Sequence, residues 1–440
     1  MTHKLRSKDI IVFILIFVCF ERLLETLGFP HSAVFLLDLL NLILFLNLIV
    51  GNKIVRLLKL NIIRWHMLLI LIGIIIATLH AIHIPLVIWS LRNLGRFYIF
   101  FGACVFYLKE NDYKRIFSLL EKVLYIDSVL IAIQYVMGYR GDFLGGVFGN
   151  ATGANAYSNA LFVVVCGYSI SGMLGGKKAT IKGILPVALS LLISIVTETK
   201  VFLFELPIII ILNVLIIGII ERKYAVFFKG IMIGVLVIVA VIVGSKYIAQ
   251  LYPNLSNSNF MSVEGLRYIL TRESGYSGSG DLNRLTAIQS LNKLGEFNES
   301  ILHRVFGLGL GSAEYSGNVS FLQSTFYQHY NSLHYYWFSH AWMYIECGYF
   351  GLITYVLGFY AGFPEGIKTI RKRKAMGADS TMIISGLVTC GISGLLLIYN
   401  QSLRIEPAFL FFFSISAIYA GGGLLDGKRA AIGKYYRSDI

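Results

Sequence analysis

Val201-Phe202-Leu203-Phe204-Glu205-Leu206-Pro207-Ile208-Ile209-Ile210-Ile211-Leu212-Asn213-Val214-Leu215-Ile216-Ile217-Gly218-Ile219-Ile220 carries one charge, Glu205, in its whole length. A helix needs about 20 mostly apolar residues to cross about 30 Å of hydrocarbon. This run therefore reads as a membrane span. Working outward from it, eleven further blocks qualify, at 9–27, 31–51, 66–84, 85–108, 123–139, 157–175, 183–199, 230–248, 339–363, 380–400 and 405–425. The expected fold is an all-α polytopic membrane protein of about 12 transmembrane helices.

Composition points the same way. Of 440 residues, 56% are hydrophobic and 14% charged, with a mean hydropathy of +0.71. Soluble domains average about 45–50% apolar and about 25% charged residues, so an ordinary cytosolic enzyme, a disordered regulator and a small secreted scaffold are excluded. The net charge of +14, from 38 Lys+Arg against 24 Asp+Glu, would suggest nucleic acid or acidic lipid for a soluble protein. In a membrane protein it is first a matter of loops, and nucleic acid is not an expected partner. With the N-terminus inside, 26 of the 38 bases fall on the cytoplasmic side, in clusters such as Lys53, Arg56, Lys59, Arg64 and Lys368, Arg371, Lys372, Arg373, Lys374. The positive-inside rule then puts both termini in the cytoplasm. The first block runs into Phe20-Glu21-Arg22 with no small-residue cleavage site, and reads as a span, not a signal peptide. Cys19, Cys104, Cys166, Cys347 and Cys390 lie within or beside apolar blocks without metal or CxxC spacing, and read as small core residues.

Three regions follow from the topology: 1–248 with nine spans and short loops, 249–338 as an extracytoplasmic loop domain, and 339–440 with three spans and a cytoplasmic tail. The loop of roughly 90 residues is too long to lack structure of its own and is expected to be mostly helical. In it, Ser279 or Asp281 can cap a helix with Arg284 in its first turn and Leu285, Ile288, Leu291 and Leu294 at spacing three. Phe306-Gly307-Leu308-Gly309-Leu310-Gly311-Ser312 lacks the lysine and flanking elements of a nucleotide loop, and reads as loop punctuation or as backbone closely approaching a ligand. The run Tyr327 to Trp342 is rich in aromatics and histidines; its rings, Trp337 among them, suit either a membrane interface or the C–H faces of sugars.

Twelve bases remain in spans or on the outer face: Arg22, Arg92, Arg96, Arg140, Lys200, Lys246, Arg267, Arg272, Arg284, Lys293, Arg304 and Arg404. A charge inside a bilayer costs at least ~2.5–3.5 kcal/mol on insertion scales, so these are the informative ones. Arg92 and Arg96, at i and i+4, share a helix face and either line a lipid-phosphate groove or pair with buried acids such as Glu205 or Asp127. Arg140, Asn150 and Asn155 belong to a Gly- and Asn-rich outer loop, which is either turn chemistry or a sugar or phosphate contact.

The stretch His340-Ala341-Trp342-Met343-Tyr344-Ile345-Glu346-Cys347-Gly348-Tyr349-Phe350-Gly351 resembles the signature of the O-antigen ligase and polymerase superfamily: a His ending a long outer loop, an aromatic, then Glu, x, Gly, two residues, Gly. Arg284-Leu285, Phe306-Gly307-Leu308-Gly309, and Arg140-Gly141 with Phe148-Gly149-Asn150 and Asn155 resemble further elements in the family's order, so the likeness covers nearly the whole chain. Two departures stand out: His340-Ala341 where the family usually has His-Asn, and Thr197-Glu198-Thr199-Lys200 where it has an Arg after a Ser. Lysine keeps the charge without the bidentate fork.

The resemblance implies a membrane glycosyltransferase of the C-type, inverting and metal-independent, with no cofactor. It would take a glycan linked through pyrophosphate to undecaprenol and transfer it to an acceptor hydroxyl. Membrane lipids surround it, and a polysaccharide chain-length regulator is a candidate partner. His340 suits a general base, with an ordinary pKa of about 6.5. Arg284, Lys200, Arg267 and Arg404 are the candidates for holding the pyrophosphate. Glu346, about a turn and a half beyond His340, is either the partner of a nearby base or a structural polar contact. A polymerase of O-antigen or capsule repeat units is the preferred reading; a ligase passing the glycan to lipid A core or another acceptor is the alternative. A transporter or flippase of an anionic lipid-linked substrate is the rival of another class, and would show matched broken helices in two halves.

Overall fold

The computed structural model describes residues 6–151, 153–199, 201–221, 228, 232, 280–316 and 319–420. Among these residues every regular element is helical. In the first part of the chain these are α1 (Ser7–Thr26), α2 (Phe35–Val50), the short α3 (Ile54–Leu57), α4 (Asn61–Leu79), α5 (Ile84–Tyr107), α6 (Glu110–Val136), α7 (Ala154–Leu174), α8 (Thr180–Val196) and α9 (Val201–Glu221). A segment of four short helices follows: α10 (Ala287–Leu291), α11 (Gly295–Asn298), α12 (Ile301–Phe306) and α13 (Thr325–Tyr330). The chain then forms α14 (Ser339–Tyr360), α15 (Gly362–Ala375), α16 (Thr381–Tyr399) and α17 (Ala408–Ala420).

Among the described residues, five helical stretches are long and apolar enough to cross a membrane: His31–Val50, Asn61–Leu79, Ala154–Leu174, Val201–Ile220 and Thr381–Tyr399. The protein is thus helical and built as a membrane-embedded chain would be. Its centre and flanks differ as a lipid solvent requires. The most apolar window of α7 is 83% buried, against 33% for α2 and for α4. On those outer helices Leu39, Leu42, Leu46, Leu71 and Ile75 point outward into the space a bilayer would fill. All but Met232 of the expected span 230–248 lies outside the described residues, as do 249–279 of the long loop and the end of the last span.

Two helices exceed the hydropathy reading. α6 begins at Glu110, well before the expected 123, because its first turns are polar and self-capping: Asp112 accepts a hydrogen bond from the backbone N–H of Lys109 at 3.0 Å. α15, a basic stretch expected only as a loop, is held as a helix against α6 by Arg373, which donates to Glu110 at 2.7 Å and to the Asp379 carbonyl at 2.6 Å.

α14 is not one straight helix. It breaks at Gly348 (φ 60°, ψ −161°), a backbone state costly for any residue with a Cβ. The break frees the carbonyls of Ile345 and Glu346, which accept from the N–H groups of Leu308 (2.8 Å) and Gly309 (2.9 Å). A Cβ on Gly307 would lie 2.4 Å from the Cys347 nitrogen, and one on Gly348 would lie 2.5 Å from the Val305 carbonyl carbon. The glycine-rich run is therefore a place of close backbone approach, and what it approaches is α14. Leu310 extends the contact to α4, donating to the Gly73 carbonyl at 3.0 Å.

Around this crossing the 280–338 segment builds a second core, rich in aromatic rings and separate from that of the long helices: Leu282, Leu291, Phe297, Phe326, Tyr335, Phe338 and Trp342 are all buried in it.

Candidate functional site

His340 sits in the first turn of α14, 4% exposed. The turn is fixed by Ser339, whose N–H and hydroxyl both donate to the Asn400 carbonyl, at 3.0 and 2.8 Å. The backbone carbonyls of Leu397 and Arg284 lie beside the imidazole. Its Nδ1 has no hydrogen-bond partner. Arg284 reaches the same corner from the other side: its Nε donates to the Tyr399 carbonyl at 2.9 Å, and its guanidinium lies over the rings of Tyr399 and Phe338, 4.4 and 5.7 Å from their centroids. The Phe338 ring is also 6.0 Å from that of His340. Two residues 56 positions apart in sequence thus share one aromatic wall.

Arg284 does not open a helix as the spacing suggested. α10 starts at Ala287, and Arg284 lies in the turn before it. The Asn283 side chain accepts from the Leu285 N–H at 3.1 Å, a local bond that competes with helix and sets the turn. Ala287 and Leu291 carry the buried face while Leu285 is exposed.

Arg404 has a different setting. It is buried, and its two terminal nitrogens bind two carboxylates: Nη1 to Glu346 at 3.2 Å and Nη2 to Glu314 at 2.7 Å. Its guanidinium lies over Trp342, 4.1 Å from the ring centroid. Glu346 also accepts from Ser90 Oγ at 3.1 Å and from the Gly311 N–H at 2.9 Å, and Glu314 accepts from Asn93 at 2.9 Å. Burial pushes the Glu314 carboxyl up to about 8; Arg404 opposes the rise and Glu346 adds to it. One arginine between two acids has no surplus charge for a phosphate. The expectation that Arg404 holds a pyrophosphate is corrected: it ties α14 and the 280–338 segment to the turn before α17.

The spare arginines of α5 also find acids, though not the ones expected. Arg92 pairs with Asp38 of α2, and Arg96 pairs with Glu406 at 3.0 Å. Glu406 in turn accepts from Tyr157 at 3.0 Å. Asp127 instead accepts from the Val147 N–H at 2.9 Å, and Glu205 from Asn159 at 3.1 Å. Opposite charges in a low-dielectric interior pair with the nearest partner across helices, which residue order does not disclose.

The remaining candidates are apart from this corner. Arg140 donates to the carbonyls of Tyr135 and Tyr139, both at 2.7 Å, and so closes its own turn. Asn150 meets Thr26 at 3.3 Å, while Asn155 donates to Asp142 and accepts from Thr199 at 3.2 Å. Trp337 stacks on His334 with centroids 4.1 Å apart and stays partly exposed. Lys200 and Arg267 lie outside the described residues. Among the described residues, no group of three or more His, Cys, Asp or Glu side chains is placed to hold a metal ion.

Ser90, Asn93 and Glu314 were missed by the sequence reading, since nothing in their local pattern separates them from ordinary polar residues. No family model, no curated protein and no solved structure matches the chain.

Proposed function

We propose that the chain is a polymerase of undecaprenyl-pyrophosphate-linked oligosaccharide repeat units, acting on the outer face of a bacterial cytoplasmic membrane through about 12 spans with both termini inside. The observation that carries the reading is the corner shared by His340 and Arg284 at the start of α14. In the reaction, a hydroxyl of the acceptor sugar attacks the anomeric carbon of the donor. The C–O bond to the lipid pyrophosphate breaks with inversion, and the proton of the attacking hydroxyl passes to His340. Arg284 stabilises the negative charge that develops on the leaving pyrophosphate. Lys200 and Arg267 remain proposed helpers, and membrane lipids and a chain-length regulator are proposed partners.

The test is an in vitro reaction of the detergent-solubilised protein with lipid-pyrophosphate repeat units. The expected product is a ladder of chain lengths, lost in His340→Ala and cut at least 100-fold in Arg284→Ala. A single transfer to a different acceptor would identify a ligase, and an unchanged ladder in both variants would remove the two residues from the chemistry.

A further inference from the structure

His80, at the end of α4, and His303, in α12, face each other across 223 positions of sequence with their Nε2 atoms 3.2 Å apart. The other nitrogen of each ring is already committed. His80 Nδ1 lies 3.0 Å from the Leu308 carbonyl and His303 Nδ1 lies 2.6 Å from the Glu296 carbonyl. A carbonyl oxygen only accepts, so each Nδ1 carries the hydrogen and each neutral ring turns a lone pair toward the other. Two lone pairs at that distance repel unless a cation lies between them.

The ring positions fit a metal ion. Two imidazoles converging on one metal ion, each nitrogen about 2.1 Å from it, put the nitrogens about 3.2 Å and the centroids about 5 Å apart. The observed centroid distance is 4.9 Å, with the rings crossed at 79°. The backbone carbonyl behind each Nδ1 is the support that metal-binding histidines ordinarily have, fixing tautomer and ring direction.

We propose that His80 and His303 bind a first-row divalent cation, Zn²⁺ by preference, with water completing the coordination. Its role is to clasp α12 to the end of α4 beside the Gly307 crossing. The pair is independent of His340 and of the transfer reaction.

The experiment is a Zn²⁺ titration of the full chain in detergent, read against a chromophoric chelator, for wild type, His80→Gln, His303→Gln and the double variant. His80 is exposed and His303 only partly buried, so these chains should fold as wild type. The expected result is one equivalent bound in wild type, weakened at least tenfold by either single change, with the double variant no worse than the singles. Zn²⁺ should raise the melting temperature of wild type alone. Equal Zn²⁺ affinity in wild type and the double variant would overturn the proposal, as would a single variant that binds like wild type.

Discussion

Arg404 belongs to the turn 399–404 and Arg284 reaches that turn from the 280–338 segment, and the two differ in almost every other respect. Arg404 is sealed between Glu314 and Glu346, with the Trp342 ring over its guanidinium. Arg284 is half-buried, directed by the Tyr399 carbonyl and by two ring faces. Both sequence contexts show a lone arginine beside an apolar helix. What separates them is the setting: two buried acids fix Arg404, whereas Arg284 reaches a backbone carbonyl and two ring faces beside His340. An arginine already matched by two acids is a structural joint, while one oriented by a carbonyl and aromatic walls beside a histidine is a candidate for handling a ligand.

The comparison can be broken most directly by truncating each arginine. Arg404→Ala strands two buried carboxyl groups, and removing one partner of a buried ionic set costs about 3–5 kcal/mol. Thermal unfolding in detergent should show this loss, whereas Arg284→Ala, at a half-buried side chain, should cost less, about 1–2 kcal/mol. Equal losses would erase the distinction between joint and ligand-handling group.

Gly348→Ala tests the frame that holds Glu346 in place. A Cβ there meets backbone at 2.5 Å and must also adopt φ 60°. The expected cost is about 2–4 kcal/mol in the same assay. A helix that tolerates alanine without loss would mean that the crossing with Gly307 is not what positions the cluster.

The smallest expected effect is one of pH. A carboxyl whose folded pKa is raised favours the folded state at low pH and ceases to do so as the pH climbs through the folded value. With Glu314 pushed up to about 8 from an ordinary 4.5, the wild-type melting temperature should already be falling at pH 7 and level off above about pH 8. Glu314→Gln should flatten that slope, and a slope unchanged by the substitution would mean that another group titrates.

Much of the helical layout was legible in the sequence because hydropathy reports what faces lipid. α2, α4, α7, α9 and α16 coincide with apolar blocks to within a few residues. α6 and α15 were misjudged because their polar turns are stabilised by capping and ion pairs, to which hydropathy is blind. At the candidate site, His340 and Arg284 were both named from the resemblance, whereas the partner of Arg96 was not named at all. Glu406 lies 310 positions from Arg96, and only the packing of α5 against the turn before α17 brings them together. The Gly-rich run signalled close backbone approach to a ligand, but what it meets in the structure is α14.

The Gly307 and Gly348 crossing also sets an order of events during synthesis. Residues 301–311 leave the ribosome before α14 does. In the proposed topology they are already across the bilayer when Ile345 and Glu346 arrive. An inserted helix with two unanswered carbonyls would pay several kcal/mol for each in hydrocarbon. Here the donors, the N–H groups of Leu308 and Gly309, have been delivered in advance. A break that would make an isolated segment a poor substrate for insertion is thus completed by an earlier piece of the same chain, so the late helix and the segment that precedes it mature as a single unit.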